Sequence, residues 1–192
     1  MRLVLASTSA YRRELLGRLG LAFEVASPGV DESAHKTRGL APRALAAELA
    51  RAKAEAVAAR LGSDAVVIGS DQVCTAFGEV FDKPGTAERA VAQLARLAGH
   101  THELVTCVHV VGPGGAWSHT DVARLTMRAL DHAALVRYVA ADAPLDCAGS
   151  YKLEARGIAL FERLECADHT AIVGLPLVAL CGELVRRGCV LP

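Results

Sequence analysis

The sequence predicts an α/β fold, and three stretches carry that expectation. Arg2-Leu3-Val4-Leu5-Ala6 is a short apolar run that passes through Ser7-Thr8-Ser9 into Leu15, Leu16 and Leu19 at helical spacing, which reads as strand, tight turn and helix. Pro42 opens a long helical pattern that continues to Leu61 and stops at Gly62. Ala65-Val66-Val67-Ile68-Gly69 is the strongest buried-strand signal in the chain. At 192 residues the chain is expected to form one domain spanning 1–192, with room for two lobes. A chain of that size buries about 70% of the surface that its unfolded form exposes.

In order, Ser9 is placed to cap the first helix, which Gly20 closes. Arg12 and Arg13 fall in its first turn, where the helix already carries partial positive charge and each added cation costs roughly 0.3–1 kcal/mol. Two readings fit them. Either they are solvated charges on an amphipathic helix, or they join the Ser and Thr hydroxyls and the free backbone N–H groups in an anion site suited to phosphate. Leu21 to Ala26 reads as a second strand, followed by a loop from Ser27 to Ser33. That loop ends in Asp31-Glu32, which serve either as metal or water ligands or as ordinary loop acids.

Spacing at 100° per residue puts Leu45, Leu49, Ala52 and Ala56 on one stripe of the long helix, with Lys53 on its shoulder. Lys53 either snorkels to solvent or reaches into the protein beneath the helix. The strand at 65–69 delivers Ser70-Asp71-Gln72 at its carboxyl end, the usual ligand side of an open α/β sheet. Val73 to Phe81 reads as a hairpin around Phe77-Gly78-Glu79, and Lys83 is held by the stiff Pro84-Gly85 turn. A helix from Thr86 to Gly99 follows, with Val91, Leu94 and Leu97 inward, and then a strand from His102 to Val111. Gly112 to Gly115 makes a turn, Val122 to Met127 a strand, and Asp131 caps a helix with Leu135, Tyr138 and Val139 inward. Pro144 to Glu154 has the character of a binding loop, Ile158 to Phe161 of a strand, and Leu177, Leu180, Cys181 and Leu184 line a last helix.

Lys plus Arg and Asp plus Glu both number 21, so an extended nucleic-acid or anionic-membrane surface is not expected and any phosphate site is local. No apolar run approaches the roughly 20 residues of a membrane span, and no secretory leader pattern opens the chain, so a soluble cytoplasmic protein is expected. The six cysteines show no C-x-x-C pair and predict neither a zinc site nor a disulfide framework. No P-loop and no G-x-G-x-x-G fingerprint occurs.

The order Leu5-Ala6-Ser7-Thr8-Ser9-x-x-Arg12-Arg13-x-Leu15-Leu16, Val30-Asp31-Glu32, Ala52-Lys53-Ala54, Gly69-Ser70-Asp71-Gln72 and Lys83-Pro84 resembles the Maf family of nucleoside-triphosphate pyrophosphatases over nearly the whole chain. The resemblance implies a two-lobed fold of the Maf/ITPase type, with a central mixed sheet flanked by helices and a cleft between lobes. It also implies hydrolysis at the α-phosphorus to give the monophosphate and pyrophosphate. Asp71 is then the proton acceptor, with Glu32, Lys53 and Lys83 as further catalytic residues. Ser9, Arg12 and Arg13 bind phosphate, and Glu32 and Asp71 hold Mg²⁺ or Mn²⁺. The partner is a small-molecule nucleotide, and a homodimer is compatible with the family.

Cys147-Ala148-Gly149-Ser150-x-Lys152-x-Glu154, Leu160 to Glu165 and Val173-Gly174-Leu175-Pro176-Leu177 are similar to the subgroup that prefers 7-methyl-GTP. Tyr11, Gln72 and Glu154 stand where the dTTP and UTP subgroup has Arg, Thr and Gln, and are expected to set substrate specificity. Methylation at N7 makes guanine cationic, and a cationic base favours an aromatic face and a carboxylate, which Tyr11 and Glu154 supply. On residue type alone, Tyr11 serves equally well as packing for Leu15, and Glu154 as a solvated loop acid. The chain departs from the subgroup pattern with Ala10 for Pro, Tyr11 for Trp and Leu153 for a smaller polar residue. A pyrimidine-nucleotide pyrophosphatase of the same fold and a non-catalytic, nucleotide-binding regulator of cell division are the rival readings.

Overall fold

The computed structural model describes residues 2–62 and 64–191. The chain opens with β1 (Arg2–Ala6), α1 (Ala10–Gly17), β2 (Glu24–Ala26), α2 (Glu32–Lys36) and α3 (Pro42–Leu61). The middle holds β3 (Ala65–Ala76), β4 (Glu79–Val80), α4 (Ala87–Leu97), β5 (Thr101–Val111) and β6 (Trp117–Met127). It closes with α5 (His132–Asp142), β7 (Phe161–Glu165), α6 (His169–Val173) and α7 (Leu177–Arg186). The strands join a mixed sheet in the order β2-β1-β3-β5-β6-β7, with β4 beside β3. β1 runs parallel to β2 and β3, while β4 and β7 lie antiparallel to β3 and β6.

The chain divides into two compact units. The first comprises Met1–Gln72, Thr106–Asp121 and Asp168–Pro192, so three separate segments build it. Strand alternation sorts its core onto two sheet faces. Leu3, Leu5, Val66, Ile68, Val108 and Val110 pack with Leu15 and Leu16 of α1 and with Leu177, Leu180 and Leu184 of α7. Val4, Ala6, Ala65 and Val67 turn the other way, onto Ala54 and Val57 of α3. Each fully buried large aliphatic side chain contributes about 1.5–3 kcal/mol. The turn between β5 and β6 is tied to α7 by Arg187, whose buried guanidinium pairs with Glu183 and donates to Pro113 O at 2.8 Å and Gly115 O at 2.9 Å.

The second unit comprises Val73–Val105 and Val122–Ala167. Thr86 and Asp131 cap α4 and α5 by accepting from Arg89 N and Ala134 N. Beneath them Tyr151 meets Phe161 edge-on at 4.8 Å, and its hydroxyl lies 2.8 Å from His102 Nε2. Burial pushes the His102 imidazole down to about 4, so it is neutral near pH 7. Among the described residues no helix is long and apolar enough to cross a membrane.

Several expected boundaries shift. β3 runs on to Ala76, so Asp71 lies inside a strand; what ends near it is the parallel partner β1, whose Ala6 pairs with Gly69. Residues 156–160 form a 3-10 turn rather than a strand, and the strand begins at Phe161. The short α6 falls where no helix is expected. α3 has the predicted limits, but its buried side carries Ala46, Ala50, Lys53, Ala54 and Val57 along with Leu45 and Leu49, and Ala52 and Ala56 are only half-buried. The rotation follows from close packing against β3, where small side chains allow the helix nearest.

Candidate active site

Asp71 and Lys53 meet in the first unit because α3 and β3 approach unusually closely. A Cβ on Gly69 would stand 2.3 Å from Ala50 O and 2.7 Å from Ala54 N, so only glycine lets the helix backbone settle on the strand there. Lys53 then sits over Asp71, and its Nζ lies 2.6 Å from Asp71 Oδ1 and 2.6 Å from Glu32 Oε1. The ammonium is buried, with 6% of its side chain exposed against 9% for Asp71 and 41% for Glu32. Charges so deeply placed are tolerated when paired, and here one cation is shared by two anions.

The two adjacent loop acids divide their roles. Asp31 caps α2, its Oδ1 accepting from Ser33 N at 3.0 Å and from Ser33 Oγ at 2.6 Å, and these bonds hold its carboxyl below the usual range. Glu32, the first residue of that helix, turns to Lys53.

Just past the same carboxyl end of β1, Ser9 caps α1 as expected, its Oγ accepting from Arg12 N at 3.4 Å, while Ser9 N donates to Ser7 Oγ at 3.1 Å. Because Ser9 Oγ accepts in the cap, its own hydrogen remains to be given elsewhere. Arg12 is half-buried and donates from Nε to Gly174 O at 2.9 Å. Burial lowers the pKa of its guanidinium, and the charges of Asp71 and Glu32 oppose that shift. Arg12 thus shares the electrostatic neighbourhood of the carboxylate pair. Arg13 is exposed and Tyr11 half-buried on the same short helix.

Gln72 follows Asp71, half-buried, and its Nε2 lies 3.0 Å from Thr106 Oγ1 and 2.9 Å from both Ala171 O and Ile172 O. Three acceptors around one nitrogen settle the orientation of its amide.

The remaining two expected residues belong to the second unit. Lys83 is exposed, beside buried Pro84, in a segment pinned by Gln93 Nε2 donating to Asp82 O at 2.9 Å and by Gly85 N donating to Leu145 O at 3.0 Å. Glu154 is exposed on a loop fastened at both ends. Lys152 N donates to Tyr138 Oη at 2.9 Å, Arg156 N donates to Asp142 Oδ2 at 3.0 Å, and Gly157 N donates to Lys152 O at 3.0 Å. Sequence reading missed Ser70 and Thr106, whose hydroxyls are buried in the first unit. Ser70 stands in the quoted Gly69-Ser70-Asp71-Gln72 stretch without a role assigned to it, and Thr106 leaves only a threonine in an apolar strand.

Among the described residues no group of three or more His, Cys, Asp and Glu is placed to hold a metal ion. Two carboxylates converging on one cation, Lys53, are nevertheless a donor set that fits Mg²⁺, which is commonly held by one or two carboxylates together with substrate phosphates and water.

These features define an α/β protein with a charged, hydroxyl-lined site just beyond the end of a parallel ladder. The chain belongs to the Maf family, matching the Maf-like protein description over residues 2–187. It is 50% identical over 192 residues to the 7-methyl-GTP pyrophosphatase of Xanthomonas campestris pv. campestris strain 8004, covering 100% of this chain and 98% of that one. The protein of the same name in Bdellovibrio bacteriovorus is 46% identical over 186 residues, covering 97% and 96% of the two chains. Among solved structures, the Ham1 protein of Staphylococcus aureus is similar over 82% of this chain and 90% of its own, with 15% identity and a TM-score of 0.49.

If Gly69 sets the approach of α3, Gly69→Ala must push the helix away, since its nearest neighbours are backbone atoms without rotamers. Overpacking of this kind costs about 1–3 kcal/mol. For a chain of this size that corresponds to a melting point lowered by roughly 2–12 °C. Thermal melts would show this, with Gly17→Ala, where a Cβ meets nothing within 4 Å, leaving the melting point unchanged or raising it by up to about 4 °C.

Proposed function

We propose that this chain hydrolyses a nucleoside triphosphate at the α-phosphorus, releasing pyrophosphate, and that its preferred substrate is 7-methyl-GTP. The observation that carries the reading is the buried Lys53 ammonium bridging Asp71 and Glu32, in the electrostatic reach of Arg12. Full-length similarity to two proteins named 7-methyl-GTP pyrophosphatase supports the choice of base.

In this reading Lys53 occupies Asp71 Oδ1 and fixes the carboxylate plane, and Asp71 Oδ2 takes the proton from the attacking water. Arg12, Arg13 and Lys83 bind the anionic oxygens and neutralise charge that passes to the pyrophosphate leaving group. Ser9 gives its hydroxyl hydrogen to a phosphate oxygen. Glu32 and Asp71 would hold Mg²⁺ or Mn²⁺, which when bound screens the phosphate charge and makes a coordinated water more acidic. Tyr11, Gln72 and Glu154 are assigned to the base, with Tyr11 offering an aromatic face and Glu154 a negative charge to the cationic ring. The reaction is assigned to the cytoplasm, in keeping with six cysteines that form no disulfide among the described residues, and a homodimer is proposed from family resemblance.

Pyrophosphate release from 7-methyl-GTP, GTP, dTTP, UTP and CTP, with Mg²⁺, Mn²⁺ or chelator, tests the function. Metal-dependent preference for 7-methyl-GTP is expected; a pyrimidine preference overturns the base assignment, and silence across the panel overturns the reaction. Asp71→Asn is expected to lower kcat by about 10²–10⁴-fold with KM changed by no more than about threefold, the range for loss of a general base. Near-normal turnover removes Asp71 from that role. Glu154→Gln is expected to lower the kcat/KM ratio of 7-methyl-GTP to GTP by about fivefold, because only the methylated base is cationic. An unchanged ratio would show that Glu154 does not read the base.

A further inference from the structure

The carbonyls at the carboxyl end of α6 and in the residue after it collect donors from four side chains on three other elements. Thr106 Oγ1 donates to Ala171 O at 2.8 Å, and Gln72 Nε2 reaches Ala171 O and Ile172 O at 2.9 Å. Ser70 Oγ and Arg12 Nε both lie 2.9 Å from the same oxygen, Gly174 O. Helix carboxyl ends leave carbonyls without partners inside the helix, and here side chains near the site satisfy them. Two of the four, Ser70 and Gln72, flank Asp71 in sequence.

Gly174 O is where the two halves of the site meet. Arg12 uses its inner nitrogen there, which fixes the guanidinium about the Nε–H direction and leaves its terminal N–H groups to point elsewhere. Gly174 has φ +122°, a conformation rarely open to other residues, and a Cβ there would stand 3.5 Å from Arg12 Nε and 3.8 Å from Arg12 Nη2. On the opposite side, Ser70 is fully buried, and its Oγ also lies 2.8 Å from Cys107 O. With one hydroxyl hydrogen between two carbonyls, Ser70 links β5 to the Gly174 turn by a shared donor. Ser70 is one residue from Asp71, so its hydroxyl ties the backbone that carries the carboxylate to the oxygen that carries the arginine.

We propose that Ser70 is a positioning residue: through Gly174 O it sets the guanidinium of Arg12 against the carboxylate of Asp71. The inference rests on the reading of Arg12 as a phosphate ligand. Displacements of about 1 Å in such a ligand cost up to about 10²-fold in rate, so a group that fixes it acts on turnover without touching substrate.

A double-mutant cycle on kcat/KM with 7-methyl-GTP or, if that is not turned over, the best substrate of the panel separates the alternatives. Arg12→Ala is expected to lower kcat/KM by about 10²-fold, as for loss of a charged donor. Ser70→Ala alone is expected to lower it by about 5–10-fold, and in the Arg12→Ala background by less than about twofold, because the group it positions is gone. Equal factors in both backgrounds would show that Ser70 acts on stability or on Asp71 alone, and would overturn the inference while leaving Arg12 as a ligand. A silent Ser70→Ala would also overturn it. No effect of Arg12→Ala would remove the phosphate reading of Arg12 and the inference together. Melting points show whether each variant folds; if Ser70→Ala does not, Ser70→Cys, which is slightly larger and donates weakly, enters the same cycle with the same outcomes.

Discussion

Lys53 Nζ lies 2.6 Å from one carboxylate oxygen of Glu32 and one of Asp71, and much of the first unit is arranged so that this contact exists. An ammonium with 6% of its side chain exposed is stable only with anionic partners in place, since uncompensated burial of a charge costs several kcal/mol. The partners come from different parts of the chain. Asp71 stands in β3 beyond the last β1 pairing, and Glu32 begins a short helix whose preceding residue, Asp31, is spent as the cap. Gly69, with Ala50 and Ala54 facing it, brings α3 near enough for Lys53 to close the triad.

Sharing one cation between two carboxylates leaves this cluster one negative charge in excess, and Arg12 sits in its field from α1. The four formal charges therefore cancel before any polyanion arrives. In the proposed reading a triphosphate calls on further cations, and Arg13 and Lys83 stand at exposed positions. In the same proposed reading Lys53 orients the carboxylates and the arginines meet phosphate.

Much of this was legible from residue order. The limits of α3, the Ser9 and Asp131 caps, and the buried strand at 65–69 all follow from local rules that tertiary packing leaves intact. Lys53 was legible as a residue of interest, but its direction depends on how far α3 approaches β3, and a helical wheel holds no such information. The same limitation turned the predicted buried stripe away from Ala52 and Ala56. α6 escaped because five residues carry too little periodicity to stand out, and its cap Asp168 bonds Thr170 and Val178 within a segment that otherwise reads as loop. Ser70 and Thr106 escaped because a buried hydroxyl in a strand looks like any small polar residue until its carbonyl partners, about 35 to 100 positions away, are known.

The first unit is discontinuous in sequence, and this sets the order in which it can be completed during synthesis. Leu3 and Leu5 of β1 pack with Leu177, Leu180 and Leu184 of α7, and Arg12 donates to Gly174. Strand β1 and helix α1 therefore leave the ribosome with a large apolar surface whose cover is more than 150 residues away in the chain. Contacts this distant in sequence form slowly and leave aggregation-prone surface open in the meantime. Arg12 gains its backbone anchor only after α6 has been made, so a charged group of α1 finds its final geometry only once synthesis has passed Gly174.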